Sequence, residues 1–197
     1  AYSIDMTDHG SAAASSLMNA LRATYDASIA VGYSPLVSTS IYCGDYSKQQ
    51  LLWVMAGNYA VSQGEYTGAE LRQMMEWLVN VKDNGANPIR HRNYMPVTSG
   101  MEYKVTEYER GKFRLEELTI NGAPLDDTAT YPVFVAGTDV WIENEAYCNC
   151  PMPENLKTKR TEYAIEGAES RSCLKDSLAV SRQFPAPSEY LTIVQGE

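Results

Sequence analysis

A chain of 197 residues with 44% apolar and 21% charged residues can close a hydrophobic core without help from a metal or a disulfide. Its formal net charge of −9 repels phosphate backbones and argues against a nucleic-acid partner. No apolar run reaches the about 18 residues of a membrane span, and no secretory leader is recognisable.

In chain order, Ala1 to Gly10 reads as a polar, irregular lead-in. Ser11 to Tyr25 reads as a helix capped by Ser11, with Ala14, Leu17, Met18 and Leu21 on one face and Tyr25 extending that stripe. Ala27 to Val31 has the look of a short buried strand. Gly32 to Tyr46 is loop-like, with Pro35 and Gly44-Asp45. Ser47 to Val54 suits a short helix, and Gly57-Asn58 a turn. Tyr59 to Tyr66 suits a strand interrupted by Gly64. Thr67-Gly68-Ala69-Glu70 is a capping box, and Leu71, Met74, Met75 and Leu78 form the apolar stripe of the helix it opens. The methionine pair is core filler.

Asn87 to Tyr94 carries the densest basic cluster, Arg90-His91-Arg92, in a run that can grip an anion or simply be solvated. Met101 to Tyr108 alternates as a strand with Met101, Tyr103 and Val105 inward. Arg110-Gly111-Lys112 turns into Phe113 to Ile120, where parity slips near Glu117 and predicts a bulge. Asn121-Gly122 is a strong hairpin signal. Pro124 and Asp126-Asp127-Thr128 hold a second turn before Tyr131 to Val135 returns as an apolar strand. Gly137 to Cys150 reads as an acidic loop and Pro151 to Asn155 as a linker-like turn. Glu169 to Val180 reads as a last helix and Tyr190 to Val194 as a closing strand. The alternation of helices with several antiparallel strands predicts one α+β (mixed α/β) domain over residues 1–197, a mixed, mostly antiparallel sheet packed with helices.

The four cysteines, Cys43, Cys148, Cys150 and Cys173, lack zinc-finger spacing. A disulfide from Cys173 to Cys148 or Cys150 and four reduced thiols are equally open. Tyrosine is over-represented, with 14 Tyr against 3 Phe and 3 Trp. Its rings suit sugar, base or peptide contact, while half-buried positions at sheet edges are their commoner use. No nucleophile is paired with a base at readable spacing, so no catalytic residue is assigned.

Several stretches carry a family likeness. Thr67 to Leu71 (TGAEL), Val97 to Tyr103 (VTSGMEY), the I-NG-PLD-TY-V pattern within Leu118 to Ala136, and Ser172 to Val194 resemble the C-terminal domain of the 5'-nucleotidase family. The N-terminal helix and Ala27 to Val31 fit the same template, so the likeness covers nearly the whole chain. It implies a substrate-recognition domain of a larger secreted 5'-nucleotidase-like phosphoesterase acting in nucleotide catabolism, a hydrolase whose catalytic work lies elsewhere.

In that family an upstream metallophosphoesterase domain holds two divalent metals. This chain has 2 His in all and none of the ligand motifs, so no metal or cofactor is expected in it. The implied partners are that upstream domain and a nucleotide or nucleoside ligand, in an extracellular, cell-surface or periplasmic setting.

Carried over position by position, the family's phosphate-clamping Arg falls on Ser38 and a base-stacking Phe on Ala56. Gly57 and Asn58 are kept. Glu145 and Tyr147 match an Asp and an aromatic, and Trp141 is the second stacking ring. The expected substrate-binding set is therefore Gly57, Asn58, Trp141, Glu145 and Tyr147. The loss of an Arg and a ring leaves open an alternative, a diverged non-catalytic module for carbohydrate, peptide or a partner domain.

Overall fold

The computed structural model describes residues 1–33, 37–55, 57–80, 95–110, 112–137 and 152–196. The elements in chain order are α1 (Ala12–Thr24), β1 (Ile29–Tyr33), α2 (Lys48–Val54), β2 (Ala60–Thr67), α3 (Gly68–Asn80), β3 (Pro96–Ser99), β4 (Glu102–Glu109), β5 (Lys112–Ile120), β6 (Ala123–Pro124), β7 (Thr130–Ala136), α4 (Glu154–Glu162), β8 (Ala164–Glu169), α5 (Ser170–Ser181) and β9 (Leu191–Gln195). The fold is mixed α/β, as the pattern predicts, but the strands form two sheets. A five-stranded sheet runs β3-β1-β7-β2-β8, with β1 and β7 parallel and the other pairs antiparallel. A four-stranded sheet runs β6-β5-β4-β9, with β9 parallel to β4.

β7 is the middle strand of the larger sheet. Val133, Phe134, Val135 and Ala136 are all buried, so both of its faces are covered. Phe134 stacks on Tyr25 at the end of α1, with ring centroids 4.6 Å apart. α1 buries the predicted stripe of Ala14, Leu17, Met18 and Leu21. It also buries Ser15 and Ser16, whose hydroxyls tie the segment before β9 to the helix. Ser15 Oγ donates to the Ser188 carbonyl at 2.8 Å, and Ser16 Oγ donates to that of Pro185 at 2.6 Å.

The hairpin signals are realised locally. Asn121 and Gly122 both adopt positive φ, 53° and 75°, the geometry a tight two-residue turn requires. In the β4–β5 ladder Lys104 faces Glu117 and Val105 faces Leu115, so Glu116 is the extra residue of the expected bulge.

Two expectations are corrected. Gly64 does not interrupt β2, which runs unbroken to Thr67; the Tyr163 ring occupies the space beside Gly64, 2.0 Å from where a Cβ would stand. Pro151 to Asn155 is not simply a turn, because α4 begins at Glu154 and β8 follows. α4 is strongly polar and buries only Leu156 among its residues, so it offers no apolar period to read.

The capping box forms. Thr67 N donates to Glu70 Oε2 at 2.8 Å, and Glu70 N donates to Thr67 Oγ1 at 3.2 Å. The first amides of α3 are further satisfied by the turn before β7. Gly68 N donates to Ala129 O and Ala69 N to Asp127 O, both at 3.0 Å. Arg72 adds two hydrogen bonds to Asp127 Oδ1, at 2.9 and 3.1 Å. This approach requires a glycine, since a Cβ on Gly68 would stand 2.1 Å from the Asp126 carbonyl oxygen. Gly68→Ala is expected to cost about 1–3 kcal/mol, read from the urea midpoint, because backbone rather than a mobile side chain must yield.

Burial alone would push the Glu70 carboxyl up. The Lys159 ammonium at 2.5 Å, with the Thr67 amide and hydroxyl, outweighs burial and holds it below the ordinary glutamate range. A carboxyl lowered in the folded state stabilises fully above its unfolded pKa, and that stability is lost as pH falls through the lowered folded value. Glu70→Gln should therefore reduce stability at neutral pH and flatten the decline that the parent chain shows below roughly pH 4.3. Parallel acid limbs for the two proteins in thermal melts would contradict this.

Candidate functional site

Two of the residues marked by sequence, Gly57 and Asn58, lie at the junction between the end of α2, the start of β2 and the start of α5. α2 opens on Ser47, whose hydroxyl accepts from Gln50 N at 3.2 Å while Gln50 Oε1 accepts from Ser47 N at 2.8 Å. At its far end Met55 forms an antiparallel bridge with Val37. Ser38 spends both its donors there. Its amide donates to Val54 O at 2.8 Å, and its hydroxyl donates to Trp53 O. Ser38 is thus a short polar side chain that closes the C-terminal end of α2.

The next residues reach α5. Gly57 lies against the Tyr59 ring, whose Cζ is 2.4 Å from where a Cβ on Gly57 would stand. Tyr59 exchanges two hydrogen bonds with the buried Ser170: Tyr59 N donates to Ser170 Oγ at 3.0 Å, and Ser170 N donates to Tyr59 O at 2.8 Å. Asn58 is bound at both ends of its amide. Its Nδ2 donates to Glu169 Oε2, and its Oδ1 accepts from Arg171 N at 3.3 Å. Asn58 thus satisfies one of the amides that the first turn of a helix leaves open, acting as a cap supplied from another segment.

Arg171 is the residue that sequence reading missed. Its Nη2 donates to Met55 O at 3.0 Å, and its Nε is buried with no hydrogen-bond partner among the described residues. The cation therefore lies beside the Val37–Met55 bridge, next to Ser38. The only signal for it in the sequence is a basic residue directly after Glu169-Ser170, which reads as an ordinary first-turn residue.

Of the predicted substrate-binding set, the structure places Gly57 and Asn58 together at this junction. Trp141, Glu145 and Tyr147 lie outside the described residues, as do Ala56 and the Arg90-His91-Arg92 cluster. Cys43 is an exposed and Cys173 a buried free thiol; Cys148 and Cys150 lie outside the described residues. Among the described residues no group of three or more His, Cys, Asp or Glu is arranged to hold a metal, and His9 faces Glu189 at 3.8 Å on the surface. No described helix is long and apolar enough to cross a membrane.

The double use of the Asn58 amide makes a specific demand on stability. Asn58→Ala should lose about 1–2 kcal/mol in a denaturant melt by freeing the start of α5. Asn58→Asp keeps the acceptor for Arg171 N but sets a second carboxylate against Glu169, and should remain below the parent. An alanine variant as stable as the parent would remove Asn58 as the cap of α5.

Comparison with known proteins agrees with this architecture. Solved structures that match include a 5'-nucleotidase precursor from Thermus thermophilus, with TM-score 0.62 and 17% identity over 95% of this chain and 36% of that one. The NAD nucleotidase of Haemophilus influenzae matches with TM-score 0.69 and 12% identity over 96% of this chain and 34% of that one. A sulfate thiohydrolase, also from Thermus thermophilus, matches with TM-score 0.61 and 15% identity over 91% and 31%. At these identities the likeness is one of fold, and the chain spans about a third of each protein's length. No curated protein matches the chain. The family model for the 5'-nucleotidase C-terminal domain matches residues 5–138, and on that match the chain belongs to the 5'-nucleotidase C-terminal domain family.

Proposed function

We propose that this chain is the substrate-recognition domain of a larger secreted phosphoesterase of the 5'-nucleotidase type, and that it does not hydrolyse phosphate esters alone. The observation that carries the reading is the family match over residues 5–138, in a chain that spans about a third of its structural neighbours. Hydrolysis is then the work of an upstream metallophosphoesterase domain with two divalent metals, and the setting is extracellular, cell-surface or periplasmic. A nucleotide or nucleoside is held by Gly57, Asn58, Trp141, Glu145 and Tyr147.

Within this reading the Arg171 guanidinium, held on Met55 O, is the group that an anionic part of the ligand would meet. A ligand that uses Asn58 has to displace Glu169 or Arg171 N from its amide. That competition, together with Ser38, supports a second reading, in which the family's nucleotide site is no longer used and the domain is a non-catalytic binding module.

Thermal melts with AMP, adenosine and UDP-glucose separate the two. A ligand held at 100 times its Kd stabilises by about 2.7 kcal/mol, a shift of several degrees for a chain of this size. The first reading expects such a shift with at least one of the three, no phosphate release by the chain alone, and metal-dependent release by the full-length protein. If none of the three moves the midpoint, nucleotide recognition is lost as an explanation. Metal-dependent turnover by the isolated chain would refute the division of labour.

A further inference from the structure

Away from the Asn58 junction, a cleft of about 540 Å3 opens between the loop after Ile41, the flank of α2 and the C-terminal end of α5. It is a built feature. Tyr2 and Ile41 exchange two backbone hydrogen bonds, Tyr2 N to Ile41 O at 2.6 Å and Ile41 N to Tyr2 O at 2.9 Å, and so fix one wall. The loop then folds on itself, because the Tyr46 hydroxyl accepts from Tyr42 N at 2.6 Å and donates to Tyr42 O at 3.2 Å. On the opposite wall Arg182 ends α5 in the left-handed region, with φ 56°, and so turns Gln183 and Phe184 back over the opening. The two walls meet where the Tyr46 and Phe184 rings pack edge to face, with centroids 5.8 Å apart. The helical rise sets roughly 16 Å between Arg171 and Arg182 along α5, so this cleft and the Asn58 junction lie at opposite ends of one helix.

Four polar side chains of the cleft are unused by the protein. The Asp45 carboxylate, the Arg182 guanidinium, the Gln183 amide and the Tyr42 hydroxyl have no hydrogen-bond or ion-pair partner among the described residues. The Tyr42 side chain is 63% exposed. The set contains a pure acceptor, a pure donor and two groups that do both. The Asp45 and Arg182 side chains are opposite in charge and do not pair with each other, so together they give the cleft no net charge that favours an anion or a cation. The net charge of −9 works further against a free phosphate ester. A neutral ring that carries several hydroxyls satisfies every one of these groups, since each hydroxyl both donates and accepts. The aromatic faces supply the apolar contact for the carbon side of such a ring.

We propose that this cleft is a carbohydrate site that takes a mono- or disaccharide, with Tyr42 as the stacking platform and Asp45, Arg182 and Gln183 as the hydroxyl-reading groups. The exposed thiol of Cys43 lines the same cleft and gives a local reporter.

The test uses the full chain with maltose, cellobiose and N,N'-diacetylchitobiose, and adenosine as the neutral aromatic control. Binding is followed by calorimetry, and alkylation of Cys43 is followed by peptide mass spectrometry. The expected result is that at least one disaccharide binds and slows alkylation of Cys43. Tyr42→Ala and Asp45→Ala, at surface positions outside the packed core, should each weaken that sugar about tenfold or more, while melts confirm the parent fold. The proposal falls if no sugar binds, if adenosine alone protects Cys43, or if sugar affinity is unchanged in both variants. A midpoint shift in the nucleotide melts counts for the Asn58 junction only where the same ligand leaves Cys43 alkylation unchanged, so the two readings fail separately.

Discussion

The tightest constraint in this domain is the approach of Gly68 to the Asp126 carbonyl. Only a residue without a Cβ lets the first turn of α3 present its amides to the Asp127 and Ala129 carbonyls, and Arg72 then fastens the same turn through Asp127. Two sequence stretches more than fifty residues apart, TGAEL and NGAPLDD, are thus halves of one contact. That contact fixes the entry of β7 into the sheet, and β7 is the strand on which β1 and β2 are both hydrogen-bonded. The family likeness of these motifs therefore has a mechanical content. They specify how the chain, on leaving the β5–β6 hairpin of the four-stranded sheet, is delivered as β7 to the centre of the five-stranded one, and they say nothing of what the domain binds.

The Asn58 junction follows a similar logic with a different outcome. Ser38 satisfies the end of α2, and Asn58 with Tyr59 satisfies the start of α5. The side chains that a ligand would address are held by helix termini. Arg171 is the exception, because its Nε is buried without a partner among the described residues while its Nη2 is held by a single carbonyl. A buried, unpaired N–H on a charged group is costly enough that the arrangement favours an occupant, water or ligand, beside Met55. The electrostatic burden of the junction therefore rests on α5 and not on the loop after β1.

The elements legible in sequence were those whose physics is local. α1, α3 and the Asn121-Gly122 turn each announce themselves through a cap, a periodic stripe or a positive-φ pair, and the bulge at Glu116 showed as a parity slip. What escaped notice depends on distant partners. α4 and β8 carry no apolar period, because α4 buries only Leu156 and contributes chiefly through Lys159, which reaches Glu70 across the fold. Ser15 and Ser16 lie outside the predicted apolar stripe, yet they are fully buried, with carbonyls of the 185–188 segment accepting from their hydroxyls. At the candidate site Gly57 and Asn58 could be named but their partners could not, since Glu169 and Arg171 lie more than a hundred residues away. The split into two sheets was likewise invisible, because strand parity says which face is buried but not which sheet a strand joins.

The abundance of tyrosine, ambiguous in sequence, resolves into two populations. Tyr66, Tyr103 and Tyr190 are core residues, and the latter two spend their hydroxyls on backbone. Tyr103 donates to Pro96 O at 2.7 Å, and Tyr190 accepts from Ser11 N at 2.9 Å while its ring covers Gly10. Burial raises the pKa of all three phenols, so they stay neutral through the physiological range, and Tyr103 and Tyr190 serve as apolar bodies with one hydrogen-bonding tip. Tyr163, half-buried, packs across Gly64 and donates to Glu65 O at 3.2 Å. These rings replace phenylalanine wherever a carbonyl or amide at the margin of the core needs a partner, which accounts for the low Phe count without invoking a ligand. Tyr42 does not fit that use. It is exposed, its hydroxyl is unclaimed, and it lines a cleft in which the Asp45, Arg182 and Gln183 side chains are unclaimed as well. Among these tyrosines, those at the core edges are explained by the packing they satisfy, and Tyr42 is the one whose placement points to binding.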